Sequence, residues 1–572
     1  MTNATSTSSP LRQRRAELLA ELAGDEAADE RGAVYTPPAM AAAMARALLR
    51  PGAPPRRVLD PACGTGRLLV AAFQRLSAQE RDPERRLALL ARLHGAELDP
   101  RALEVAKLSL LLAAGGEDLP AEVLAQARAG LDERLRLGDA LIAPEAPPEV
   151  QAAAAGPALA WEAGAWDAIL ANPPYTSFYG RASRKPPPEL EGYLAERFRG
   201  RVGGRHNSYL FFVALCLELL ESAGRLCLLV PDTLAINASY RATRAALAER
   251  GLLRLCRVEG PVFRGRSVGS LVLLADAGAL EPDSVELQTY ADTEAFVAGR
   301  PTTSERAPRR ALATPRGRTW PFGGVEALAR VARIRADAEP LERFARPRDG
   351  INHGTRAVAE RLFDPPGPRR PTWGPLLEGK DVHSYVLDPP SRVVDYDPAL
   401  LSRADKRRGA SLRSPDVFRG PKLVNRQTAN TLIFALDEAG YYARNSVHCT
   451  RPTPGHGDER GLLVFLLGLL NSRLLRYVYA QESQETRRVH PQVHIARTRT
   501  LPIRGASDPV ARAAVSAHVE ALLQLHARTR TQPARVAEQI EARQAELDAL
   551  VLDIYEVAGD DRAAIQAWEE RA

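Results

Sequence analysis

The chain has 572 residues, 45% of them apolar, and its 77 Lys+Arg against 70 Asp+Glu leave a formal net charge of +7; this is too long for one ordinary domain and apolar enough to fill two or three cores. No run of 18 apolar residues spans a bilayer, and the first residues lack the basic and apolar regions of a signal peptide. The five cysteines (Cys63, Cys216, Cys227, Cys256 and Cys449) are scattered and odd in number, so a membrane partner, a zinc centre and a disulfide framework are not expected, whereas a reducing, cytoplasmic setting is.

Residues 1–30 read as a tail with a short helix over 11–23. Gly32-Ala33-Val34-Tyr35-Thr36-Pro37-Pro38 then leads into a helix over 39–49. Thr36 is placed to hydrogen-bond at that helix start, with proline at the first helical positions. Strands at 57–60, 93–97, 135–137 and 167–171 alternate with helices running through Phe73 and over 100–112. Repeated strand–helix units with glycine turns indicate a parallel, doubly wound sheet. Residues 143–165, rich in Pro and Ala, read as a loop. Residues 176–206, with Arg-Lys-Pro-Pro-Pro at 184–188, read as a mobile loop suited to covering a site.

An apolar helix from Asn207 to about Glu221 follows, then a strand at 225–230, a turn at Pro231-Asp232-Thr233 and a helix over 240–249. Strands at 252–259 and 270–275 are expected to close the sheet as a hairpin. Residues 280–335 mix polar, Pro and Gly segments and read as a connection, and about 340–505 as a domain of short strands and helices. Residues 301–510 carry 35 Lys+Arg against 22 Asp+Glu, whereas the rest of the chain carries 42 against 48. A basic module fit to grip phosphates is thus joined to a mildly acidic one. Arg403, Lys406, Arg407 and Arg408 form its densest basic cluster, which suits either phosphate contact or a solvated loop. His490 and His494 lack partners at metal-ligand spacing, and no metal is expected. Residues 507–572 read as helices, with an apolar stripe at Leu547, Leu550, Val551 and Ile554 that suits docking onto the fold.

The chemistry concentrates at strand ends. Trp166 to Ala171 reads as an apolar strand that must stop at Asn172-Pro173-Pro174-Tyr175, because proline cannot donate to a sheet. The carboxyl ends of such strands are where open α/β sheets hold ligands. Asn172 offers a side-chain carbonyl, Pro173 a backbone carbonyl and Tyr175 a flat π-face, a set that fits a planar amine. Upstream, Val58-Leu59-Asp60-Pro61-Ala62-Cys63-Gly64-Thr65-Gly66 feeds a strand through a Gly turn into a helix. It lacks the Gly-x-Gly-x-x-Gly spacing, which disfavours NAD. Glu97 and Asp139 end the next two strands, suited to a ribose diol and an adenine amine respectively.

In this order the motifs resemble the gamma-class, Taq-type DNA adenine-N6 methyltransferases. The resemblance implies a Rossmann-like, doubly wound mixed α/β sheet with a C-terminal α+β DNA-recognition domain. It places the N-terminal tail and helix at 1–30, the catalytic domain at 31–280, a connection at 281–335, target recognition at 336–506 and a helical segment at 507–572. It implies S-adenosylmethionine as cofactor, bound by Tyr35, Thr36, Asp60, Ala62, Cys63, Gly64, Gly66, Glu97, Asp139 and Ala140. Catalysis falls to Asn172, Pro173, Pro174 and Tyr175, with Phe263 as a second aromatic beside a flipped adenine. On that reading Tyr175 contributes its ring and not its hydroxyl. The expected partner is double-stranded DNA, with a separate cognate restriction endonuclease and a monomeric protein. Asn-Pro-Pro-Tyr also suits RNA or protein-glutamine methylation, and a non-catalytic recognition subunit of a defence complex is a third reading.

Overall fold

The computed structural model describes residues 9–23, 36–50, 52, 54–178, 186–204, 206–263, 269–278, 284–309, 312, 319–320, 322, 324–483, 491–528 and 533–568. They form two compact units, Met1–Val325 and Glu326–Ala572.

The first unit is built on nine strands: β1 (Val58–Asp60), β2 (Leu93–Glu97), β3 (Leu135–Leu137), β4 (Trp166–Ala171), β5 (Leu220–Pro231), β6 (Leu252–Val258), β7 (Ser270–Asp276), β8 (Ser284–Tyr290) and β9 (Thr303–Pro308). They lie in the order β3-β2-β1-β4-β5-β7-β6-β8-β9. The first five run parallel and β7 pairs antiparallel with both β5 and β6. This is a mixed, doubly wound sheet. Side chains of period two feed a core on each face. Leu226, Leu228 and Val230 of β5 face one core, with the apolar Ser208–Leu219 helix, while Cys227 and Leu229 face the other, with the Pro38–Leu48 and Arg67–Leu76 helices. The N-terminal Pro10–Ala23 helix lays Leu18 and Leu22 on Ala102, Val105 and Leu108 of the Pro100–Ala113 helix, and so belongs to this unit.

Several segments depart from the sequence reading. Residues 143–165 contain the Pro148–Ala153 helix, and 176–206 contain the Pro188–Arg197 helix, each started by proline in the first turn. Residues 231–236 continue from the turn into a short helix, Thr233–Ile236. The expected closing hairpin is not the end of the sheet: β7 inserts between β5 and β6, and β8 and β9 extend the sheet beyond β6. Most of the segment read as a 281–335 connection is therefore part of the first unit, and its last residues form the Val325–Arg335 helix, whose Val331 and Ile334 enter the core of the second unit. β9 is an exposed edge strand with one buried residue, Ala307, and β8 carries buried polar residues, Gln288 and Thr289, so neither shows the apolar alternation of a strand.

Among the described residues, the second unit holds three small sheets. β11 (Ala345–Asp349), β17 (Val447–Pro452), β14 (Lys422–Arg426) and β15 (Phe434–Asp437) form an antiparallel four-stranded sheet in that order, with β11 at an edge. β12 (Trp373–Leu377) lies between β13 (Arg392–Asp395) and β16 (Tyr442–Ala443), and β10 (Glu339–Pro340) pairs with β18 (Pro502–Ile503). One face of the four-stranded sheet packs on the Glu459–Asn471 and Arg473–Ser483 helices. The Pro509–Arg528 and Pro533–Ile554 helices complete that core through Val515, Val519, Leu547 and Val551. The described residues of 507–572 thus help close the core of the second unit, with Leu547 and Val551 of the stripe expected to dock onto the fold buried there.

Candidate active site

Four neighbouring parallel strands, from the β3 edge inward, end side by side, and each leads to a residue singled out by chemistry. Asp60 closes β1 and Glu97 closes β2, Asp139 follows β3 by one residue after Gly138, and Asn172 follows β4 directly. The strand order β3-β2-β1-β4 makes them neighbours at one rim of the sheet. This is the crevice outside the strand ends in which open α/β sheets hold ligands.

The Asp60–Gly66 turn is folded back over β2. The Cys63 amide donates to the Ala96 carbonyl at 2.9 Å, and the Gly64 amide donates to Glu97 Oε2 at 2.9 Å. Gly66 has φ 78°, and a Cβ there would lie 2.8 Å from Ala106 Cβ, so this position needs glycine. Asp60 is buried and accepts from the Ala62 amide at 3.1 Å. Burial, offset in part by that amide and reinforced by nearby Glu97, pushes its carboxyl up to about 8. Glu97 is half-buried and takes the Leu98 and Asp99 amides on Oε1 at 2.9 and 3.0 Å; burial raises its pKa against those hydrogen bonds. Asp139 accepts from the Leu141 amide at 3.0 Å, and burial raises it too. Cys63 is buried and its thiol is pushed well up by burial and by Asp60 and Glu97, which disfavours a thiolate. Ala140 is buried, its carbonyl accepting from the Trp161 indole at 3.1 Å. Tyr35 lies outside the described residues.

The Asn172–Tyr175 turn is held from three sides. Asn172 Nδ2 donates to Thr36 Oγ1 at 3.1 Å, and the Tyr175 hydroxyl lies 2.7 Å from Asn172 Oδ1 and 3.1 Å from the Leu229 carbonyl. Ser208 Oγ accepts from the Thr176 amide at 2.8 Å and donates to the Pro174 carbonyl at 2.5 Å, while its own amide donates to Thr176 O at 2.9 Å. Two expectations change here. Thr36 does not cap the Pro38–Leu48 helix, whose N-cap residue is Pro37 with no side-chain cap; its buried hydroxyl reads the Asn172 amide instead. The Tyr175 hydroxyl, left without a role by the sequence reading, sets the direction of that amide. A carbonyl oxygen has two acceptor sites, so this contact orients Oδ1 without exhausting it.

Phe263 meets Tyr175 edge to face, with ring centroids 6.0 Å apart at 67°, and Tyr209 does the same from another side at 6.2 Å and 81°. The two rings expected to flank a base are therefore in direct contact and not parallel across a gap. Ser208, Tyr209 and Leu229 were missed because they enter through the Ser208–Leu219 helix and β5, distant in sequence. The one available signal was Asn207-Ser208, a capping pair at the start of an apolar helix. Among the described residues, no group of three His, Cys, Asp or Glu is placed to hold a metal ion.

Residues 16–284 match the N-6 DNA Methylase family, and residues 374–503 match the TaqI-like C-terminal specificity domain. The Type II methyltransferase M.TthHB8I of Thermus thermophilus is 35% identical over 119 residues, 20% of this chain and 27% of that protein. The Type II restriction enzyme and methyltransferase RM.BcgI of Heyndrickxia coagulans is 23% identical over 231 residues, 40% of this chain and 29% of that protein. The chain thus spans less than a third of the length of either relative. In fold it is similar to the Type IIL restriction-modification enzyme MmeI, solved in complex with DNA, with a TM-score of 0.52 at 12% identity over 97% of this chain and 75% of that one. The two matches follow the order in which the two units are built, an N-6 DNA Methylase region in the first and a TaqI-like C-terminal specificity region in the second.

Proposed function

We propose that this protein is a site-specific DNA methyltransferase that carries a methyl group from S-adenosylmethionine to N6 of an adenine in double-stranded DNA. It would be the modifying activity of a restriction–modification system, with a cognate endonuclease as a separate partner and the reducing cytoplasm as its setting. The observation that supports this best is the Asn172 amide, fixed by Thr36 and Tyr175 at the end of β4, beside a crevice lined by Asp60, Glu97 and Asp139.

The crevice fits the cofactor. Three carboxyl groups with no basic partner among the described residues face a ligand that is cationic at its sulfonium and ammonium. Gly66 lets the turn pack closely on Ala106 of the Pro100–Ala113 helix, and Gly64, with φ 54°, keeps the backbone next to Glu97 free of a side chain. Glu97 suits the ribose diol, Asp139 and Ala140 the adenine edge, and Asp60 with the Ala62–Gly64 backbone the amino-acid end. When bound, S-adenosylmethionine supplies an electrophilic methyl group on sulfur.

The chain's own residues supply alignment. A stacked adenine cannot present N6 to a pocket, so the base must leave the duplex. Asn172 Oδ1 and the Pro173 carbonyl then accept the two N6 hydrogens, which pulls the amine toward tetrahedral geometry and turns its lone pair toward the methyl group. Tyr175 provides a stacking face, worth about 1–3 kcal/mol per base. Phe263 and Tyr209 back that ring edge-on. The gain is one of orientation and water exclusion.

Incubation with methyl-labelled cofactor and, separately, duplex DNA, RNA or protein tests the reading. Label on N6-methyladenine in DNA is expected; label only on RNA or on glutamine overturns it.

A further inference from the structure

We propose that the exposed edge of the four-stranded sheet in the second unit is a binding surface for the phosphates of duplex DNA, formed by Arg346 and Arg348 of β11 with Arg451 of β17 and Arg419. The proposal rests on the DNA reading above and adds the surface that grips the polymer.

The strand register carries it. Arg346 stands directly opposite Arg451 in the antiparallel β11–β17 pair, and Arg348, two residues on, lies on the same face. Like charges directly opposite each other across strands destabilise a sheet, by an amount of the same order as the 0.2–1 kcal/mol a favourable pair supplies. No carboxylate offsets this: among the described residues, neither Arg346, Arg348 nor Arg419 has a carboxylate partner, and all three are exposed. Arg451 turns its guanidinium to the Asp416 carbonyl at 3.0 Å and to the Arg419 carbonyl, which brings Arg419 to the same corner. The acids nearby are engaged elsewhere. Asp349 lies on the opposite strand face and pairs with Arg413 at 3.4 Å, and the Asp416 carboxylate takes the Ser414 hydroxyl at 3.3 Å.

The edge is also prepared against pairing with another strand. Pro347 removes an amide from the middle of β11, and exposed Arg499 donates to the Pro347 carbonyl at 3.2 Å. What remains is a row of guanidinium groups spaced by the pleat, chemistry that matches an anionic polymer and not an apolar partner. Some exposed arginines elsewhere in the unit are neutralised locally, as Arg356 is by Glu360 and Arg543 by Glu546, while Arg403, Arg407 and Arg408 share the lack of a carboxylate partner among the described residues but are not held in a strand register.

The test is the salt dependence of binding to a fluorescein-labelled, mixed-sequence DNA duplex, read by anisotropy with the full chain. For Arg346→Gln/Arg348→Gln, the slope of log affinity against log salt should flatten by about one for each arginine removed. Arg419→Gln, outside the strand pair, should flatten it by about one, so this variant decides the matter if the double substitution impairs folding. Arg346→Lys/Arg348→Lys and the ion-paired control Arg356→Gln/Arg543→Gln should keep the wild-type slope. Wild-type slopes in both the double variant and Arg419→Gln overturn the surface while leaving the DNA reading intact. Failure of the wild type to bind duplex DNA sinks both. Equal binding to duplex RNA with the same loss on substitution overturns DNA as the ligand.

Discussion

Two sites, one in each unit, treat buried charge in opposite ways. In the second, Lys422 and Asp437 are opposite each other across β14 and β15, both fully buried, with Lys422 Nζ 2.5 Å from Asp437 Oδ2 and 2.7 Å from the Phe418 carbonyl. Asp437 also takes the Ala439, Gly440 and Tyr441 amides, so the pair is closed from both sides. In the first unit, Asp60, Glu97 and Asp139 sit at adjacent strand ends with amide donors but no cation, and burial raises all three. A closed pair serves the fold; carboxyl groups held without a counter-charge at a crevice mark a place where a ligand brings the charge.

The largest expected effect breaks the closed pair. Lys422→Met should cost about 3–5 kcal/mol of unfolding free energy, because it strands a buried carboxylate, whereas an apolar replacement of both Lys422 and Asp437 should cost far less. Denaturant unfolding of the two variants checks this, and equal losses would mean that the pair is not closed in the sense argued.

At the open site the largest loss is of chemistry. Asn172→Ala should lower single-turnover methyl transfer by about 10²–10³, while cofactor affinity stays within about tenfold, since the amide acts on the base. Cofactor titration alongside the rate assay separates this from a structural role for Asn172.

The open carboxyl also predicts a pH dependence. The unfolded chain ionises Asp60 near its ordinary value, about 3.9, whereas the fold holds the proton up to about 8. Because the folded pKa is raised, the unfolded state binds fewer protons between these values, and the ligand-free fold loses stability as pH rises across that window, then levels off. Asp60→Asn should remove that loss. Binding of the cationic cofactor selects the ionised form, so wild-type affinity should climb with pH up to about 8, by at most about tenfold per unit, and the Asn variant should show no such climb. Calorimetric titration at a series of pH values measures both; a flat wild-type profile would place the cofactor's charge away from Asp60.

The smallest effects sharpen the geometry around Asn172. Tyr175→Phe and Thr36→Val each remove one hydrogen bond that aims the amide, a loss of about 0.5–1.5 kcal/mol, or up to about tenfold in rate. Both rings remain, so base stacking should be unchanged, and Tyr175→Ala should fall well below Tyr175→Phe. A Tyr175→Phe rate equal to wild type would return the hydroxyl to a purely structural contact with Leu229.

The sequence by itself determined what lies within a few residues along the chain. Asp60 to Gly66, Glu97, Asp139 and Asn172 to Tyr175 were legible as strand ends, because glycine and proline punctuate a strand and the residue left at its end follows from local geometry. Only the tertiary structure decided what depends on pairing between distant segments. Thr36 on the Asn172 amide joins residues 136 positions apart, and β8 and β9 enter the first sheet although their polar residues read as linker. The lysine of Pro421-Lys422-Leu423-Val424 is a core residue, while Arg346 and Arg451 meet across one strand pair. Register is the physical reason: a shift of one residue moves every side chain to the other face of a sheet, so the partner of a charge, and with it the choice between stability and binding, is fixed only once the strands are aligned.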